Sequence, residues 1–135
     1  MSLSEPILAT EADVPEIAQL FLTATDPSSL KALMYRDVNP NEAQTYYEAI
    51  FAMDIARPSN TYLVIKDNSS GQIASCVNWQ GPYAADARAA ELQKIHAAKP
   101  PFPAGGNQAI LKEFEEKIAD LQARVLGDPR RECWR

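Results

Sequence analysis

The chain has 135 residues, enough for one domain with a single buried core. Apolar residues make up 46% and charged residues 23%, and the net charge is −5. That balance is ordinary for a globular domain, and it argues against general nucleic-acid binding, which needs a basic face. No apolar run approaches the roughly 20 residues that span a bilayer. The start, Met1-Ser2-Leu3-Ser4-Glu5-Pro6-Ile7, lacks a basic region followed by a long apolar run, so no signal peptide is expected. Two cysteines, Cys76 and Cys133, do not make a metal or disulfide framework. Free thiols and a cytoplasmic location are the simplest expectation.

Pro6-Ile7-Leu8-Ala9-Thr10 is a short candidate strand. Thr10 opens a helix through a capping box in which Asp13 takes the place of the usual Glu or Gln. Val14, Ile17, Ala18 and Phe21 form its apolar stripe, and Pro15 falls in the first turn, where a missing N–H costs little. Asp26-Pro27-Ser28-Ser29 ends it near Thr25. Residues 30–37 carry no decisive pattern. Asn39-Pro40-Asn41-Glu42 is a strong helix start, with Asn39 as cap and Pro40 at the first position. Ala43, Tyr47, Ile50, Phe51 and Asp54 share one face of that helix, with Tyr46 and Met53 at its margins. Pro58 stops it.

Residues 61–79 hold the clearest strand signal. Tyr62, Leu63, Val64 and Ile65 are aromatic or branched and contiguous. Asp67-Asn68-Ser69-Ser70-Gly71 is a turn, with Gly71 able to take the positive φ that closes it. Strict alternation then puts Ile73, Ser75, Val77 and Trp79 on one face and Ala74, Cys76 and Asn78 on the other. The pattern predicts an antiparallel hairpin with one face on a core, and helices must cover that face.

Gly81-Pro82 closes the hairpin, and residues 84–98 hold a helical turn or more. Residues 99–106, Lys-Pro-Pro-Phe-Pro-Ala-Gly-Gly, read as an internal linker within a single domain of residues 1–135. Asn107 caps a last helix whose stripe is Ile110, Leu111, Phe114, Ile118, Leu121 and Val125. Glu113, Glu115, Glu116 and Lys117 form its solvated face. Gly127 is the C-terminal cap, with Pro129 beyond it. Glu132-Cys133-Trp134 looks like the start of another strand. The fold class expected is α+β: a small, mainly antiparallel sheet of about three strands with helices packed on it.

The order strand, helix, helix, hairpin resembles the N-terminal half of the GCN5-related N-acetyltransferases. Ile7-Leu8-Ala9-Thr10-Glu11-Ala12-Asp13-Val14-Pro15-Glu16-Ile17 is similar to that family's first strand and helix entry. Residues 60–80, with Ser70-Gly71-Gln72-Ile73 and the Asn78-Trp79-Gln80 end, resemble its second and third strands. The proline-rich link, the long helix and Glu132-Cys133-Trp134 resemble an insertion in fungal-type members before their fourth strand. The resemblance implies acetyl transfer from acetyl-CoA to a small amine. It also implies a pyrophosphate loop of the form Gln/Arg-x-x-Gly-x-Gly/Ala after the fourth strand, and no such run occurs in this sequence. The expectation is therefore an acetyltransferase-like chain that lacks the cofactor-binding half and is inactive alone. The alternative is a non-catalytic interaction module derived from the same fold.

In this family the segment between the first two helices lines the acceptor side. By that resemblance Leu30, Met34 and Tyr35 are candidate substrate contacts, set against ordinary packing. Trp79 is either a wall of that pocket or a core residue, with the core preferred. Ala104-Gly105-Gly106-Asn107 precedes a helix and superficially offers N–H groups to a phosphate. A polyproline-like link precedes it where a strand should, so a helix cap is the plainer reading. His96, the only histidine, is weighed as a general base against a surface residue, and Cys76 as a nucleophile against a buried small side chain. Cys133 has three arginines near it in sequence but no base in view. The third strand's outer edge is expected to be open or covered only by residues 132–135. Such an edge is a template for self-association or for a second polypeptide.

Overall fold

The computed structural model describes residues 2–24, 29–81, 90, 93–95 and 97–126, and only the backbone at 122, 123, 125 and 126. The expectations placed on residues 25–28, 82–89, 127–135 and His96 lie outside them. The elements are β1 (Ile7–Leu8), a 3-10 turn (Glu11–Asp13), α1 (Val14–Thr23), α2 (Leu30–Met34), α3 (Pro40–Ile55), β2 (Asn60–Lys66), β3 (Ile73–Gln80) and α4 (Gln108–Leu126). The fold is α+β, as the periodicities predict. Its sheet is antiparallel in the order β1-β2-β3.

Local chemistry sets the boundaries. Thr10 donates from both its backbone N and its hydroxyl to Asp13 Oδ2, each at 2.9 Å, which fixes the entry into α1. Ser29 Oγ accepts from Ala32 N at 3.2 Å and starts α2, the segment the sequence leaves undecided. Asn39 Oδ1 accepts from Asn41 N at 2.9 Å, and Pro40 is the first residue of α3. In the hairpin turn, Gly71 has φ 73° and its N–H donates to the Asp67 carbonyl at 2.7 Å. The Asp67 carboxylate accepts from Ser69 N, Ser69 Oγ and Ser70 Oγ, so the turn is held by its own side chains.

Helices α1 and α3 pack on each other and on one face of the sheet. The core between the layers holds Val14, Ile17 and Ala18 from α1, Tyr46, Tyr47 and Phe51 from α3, and Tyr62, Val64 and Ile73 from the sheet. Ile17 and Val64 are fully buried, each worth about 1.5–3 kcal/mol of transfer free energy. Phe21 stays 38% exposed at the rim of this stripe, and Tyr46 is buried rather than marginal.

The hairpin departs from strict alternation at one place. Ile65 pairs with Ser75, but the next pair is Lys66 with Ile73, so Ala74 is an extra residue in β3. A bulge of this kind inverts the parity of the strand beyond it. Ile73 therefore shares the helix-covered face with Cys76, not with Val77 and Trp79. Trp79 pairs with Thr61 on the opposite face and is 70% exposed. The core position preferred for Trp79 is thus overturned, and the cause is the Ala74 bulge.

Candidate functional site

Aromatic residues spaced along α3 meet rings from four other segments. Tyr62 on β2 lies 6.2 Å from Phe51, which lies 6.0 Å from Tyr47. Tyr47 lies 5.3 Å from Tyr35, just after α2, and Tyr35 lies 5.1 Å from Phe102 in the proline-rich segment. Phe21 joins from α1, 4.7 Å from Tyr47 and 5.4 Å from Phe51. These centroid separations are those of favourable ring pairs, tilted or edge-on except for the stacked pair Tyr47–Phe51. The rings form a continuous array from the sheet to the strap at residues 100–104. Burial raises the phenol of Tyr35 far above its ordinary value, with the neighbouring Tyr47 hydroxyl adding to it. Tyr47 is pushed up to about 12, again by burial first. Burial thus keeps both phenols in the neutral, protonated form, and their rings pack the layer between the helices and the strap.

A groove of about 520 Å³ opens where the array reaches the surface. One wall is the face of α3 carrying Asn41, Glu42, Thr45, Tyr46 and Ala49, positions one and two helical turns apart. The other is the strap Pro100, Pro101, Phe102, Pro103 and Ala104. Phe102 anchors the strap edge-on against Tyr46, 5.8 Å away at 90°. Within the groove's lining, Glu42 is the one carboxylate, and everything else is neutral. Such a surface suits an apolar body with a cationic end.

The glycine corner next to the strap is filled. A Cβ on Gly105 would stand 2.6 Å from the Asp37 carbonyl oxygen, and φ there is +82°. The space beside Gly106 is taken by the Phe102 ring. Gly106 N donates to the Pro103 carbonyl at 3.1 Å and Asn107 N to the Met34 carbonyl at 2.9 Å. Asn107 Oδ1 accepts from Ile110 N at 3.2 Å, capping α4. A phosphate cradle needs open space over its glycines and N–H groups aimed outward. Here the glycines allow close packing, the space over them is filled, and the N–H groups of Gly106, Asn107 and Ile110 are bonded within the chain, so this corner does not fit the pyrophosphate of acetyl-CoA.

None of the four sequence-derived contacts lines this groove. Leu30 opens α2 and is 42% exposed, Met34 is buried at its end, and Tyr35 stands in the aromatic array. Trp79 lies on the other face of the sheet, away from them. Cys76 is half-buried and burial raises its thiol, which suits a packed side chain. The groove residues of α3 escape sequence reasoning because the strap reads as a linker. The signal was Phe102, a large aromatic set between prolines, which a solvated link does not need.

Among the described residues no group of three or more His, Cys, Asp or Glu side chains could hold a metal, and no helix is long and apolar enough to cross a membrane. Comparison of the chain with protein-family models, with curated proteins and with solved structures gives no match.

Proposed function

We propose that this chain is the acceptor side of an N-acetyltransferase of the GCN5-related kind, and that a small amine is what it holds. The reading rests on one observation. The connection from β1 to β2 delivers the helices α1 to α3, of which α1 and α3 lie on one face, while β3 pairs only with β2 among the described residues. A fourth strand can add to that edge, which is eight residues long and carries no charged side chain. The amine would sit in the α3–strap groove, its ammonium toward Glu42 and its apolar part on Tyr46 and Phe102. In such a reaction the chain's contribution is to hold and orient the nucleophile. Of the residues that the resemblance puts on the acceptor side, Tyr35 touches this groove's wall, through its ring contact with Tyr46 at 6.3 Å.

Acetyl-CoA enters only through the family resemblance, and the chain's one glycine pair before a helix is closed to it. That closure favours the second reading, a non-catalytic module on the same layers. Two titrations separate the readings. Primary amines such as phenethylamine should shift the amide NMR signals of residues 41–49 and 100–104 at millimolar ligand. Glu42→Gln should weaken that binding at least threefold. No shift at saturating amine overturns the acceptor reading. Calorimetry with acetyl-CoA then reads the other half. Micromolar binding supports a transferase within this chain, whereas no heat at millimolar ligand fits both an acceptor half and the module, and the amine titration then decides between them.

A further inference from the structure

Two apolar surfaces of this chain have no partner among the described residues. The first is the sheet face opposite the helices. Leu8, Leu63 and Val77 stand in one row across the three strands, and Trp79 stands beside Val77 two residues on. Leu8 is 67%, Val77 50% and Trp79 70% exposed. The second is the stripe of α4 beyond its first turn, where Phe114 is 39%, Ile118 37% and Leu121 54% exposed. The polar side of that helix is finished: Glu113 pairs with Lys117 at 2.6 Å and Asp120 with Arg124 at 2.7 Å. Its apolar side is not, since α4 packs chiefly against the short α2.

The two surfaces match in kind and size. Three strands at about 4.8 Å spacing make a face about 10 Å across, the width of one helix with its side chains. The α4 of the same chain starts on the wrong side, because Asn107 N is bonded to the Met34 carbonyl in the helical layer. We infer that a second copy of the chain covers the open sheet face with its α4, and that each copy gives one helix and receives one. Such an exchange closes both surfaces about a two-fold axis. Pairing α4 with α4 would leave the sheet face bare. The exposed parts of these six side chains, two aromatic and four aliphatic, together with the polar rim around them, offer on the order of 600 Å² per copy. That is at the lower end of what a specific dimer buries, about 600–1,000 Å² per partner. The face is distinct from the β3 edge and from the groove, so this inference stands apart from the acceptor reading.

The test uses the full chain. Sedimentation equilibrium from about 1 to 500 μM should show a monomer–dimer equilibrium. Val77→Ser on the sheet and Leu121→Ser on α4 should each raise the dissociation constant at least tenfold, with unchanged circular dichroism. Both positions are exposed in the single copy, so neither change removes a core contact. Orientation is read by disulfide trapping in a Cys76→Ser, Cys133→Ser background. A Trp79→Cys chain mixed with an Ile118→Cys chain should form the mixed dimer. A monomer at every concentration overturns the inference. So does cross-linking of Ile118→Cys only with itself, which reports helix pairing. A concentration-independent bond within a chain carrying both changes overturns it too, because it reports closure by the chain's own helix.

Discussion

Lys31 Nζ stands 3.2 Å from the centre of the Phe21 ring and donates to the carbonyl oxygen of the same residue. Burial brings this amine down to about 8, well below the ordinary lysine value. The folded value lies under the unfolded one, so between them the unfolded chain holds more protons and stability climbs with pH. Wild-type stability should therefore rise relative to Lys31→Met between about pH 8 and pH 10. Urea melts of the two chains across that range check the slope. A difference that stays flat would show that the amine is as well solvated folded as unfolded.

Asp13 carries the opposite linkage. Burial works to raise its carboxyl, but Lys66, whose Nζ is 2.7 Å away, and the two Thr10 donors outweigh burial and hold it below the ordinary carboxylate value. A depressed carboxyl contributes stability that is present above its unfolded value and lost as pH falls through the folded one. Asp13→Asn should cost about 1–2 kcal/mol near neutrality, as expected for losing a helix cap and a charged hydrogen bond. The variant should also lose less than wild type on acidification from about pH 5 to pH 2. Parallel acid titrations followed by circular dichroism measure both.

The two positive-φ glycines separate backbone strain from crowding. Gly71 has φ +73° with open space where a Cβ would stand, whereas Gly105 has φ +82° and the Asp37 carbonyl 2.6 Å from that position. Gly71→Ala should cost only the left-handed penalty, about 1–2 kcal/mol. Gly105→Ala adds a clash with backbone that cannot yield easily, for about 3 kcal/mol or more in total. Equal losses in denaturant melts would mean that the strap lifts away from residue 37 at little cost.

Local signals account for most of what was legible in the sequence. Asn39 with Pro40, Thr10 with Asp13, and the Asp67–Gly71 turn act through neighbours in the chain, so their residue types announce them. The helical stripes were equally readable, because Val14, Ile17 and Ala18 repeat at the helix period. The hidden features depend on contacts across the chain. One extra residue at Ala74 reverses the faces of the strand beyond it, and nothing in Ile73-Ala74-Ser75-Cys76 marks the slip. The strap is another case. Its composition describes a link, and only the distant Tyr35 and Tyr46 rings make Phe102 an anchor. The groove depends on that anchor, so it was beyond sequence reasoning, and the residues that the family resemblance suggested, Leu30, Met34 and Tyr35, are not among those that line it.

Trp79 offers the sharpest check on the face reversal. A core tryptophan replaced by a small side chain costs about 3–5 kcal/mol, while a surface substitution usually stays within about 0.5 kcal/mol. Trp79→Ser should therefore leave stability nearly unchanged when measured at low micromolar concentration, below self-association. With Trp134→Phe removing the only other tryptophan, the emission of Trp79 should be readily quenched by iodide at that concentration. Quenching should weaken as concentration rises and α4 of a second copy covers the ring. A large stability loss, or an emission shielded from iodide in the dilute chain, would return Trp79 to the core and restore strict alternation in β3.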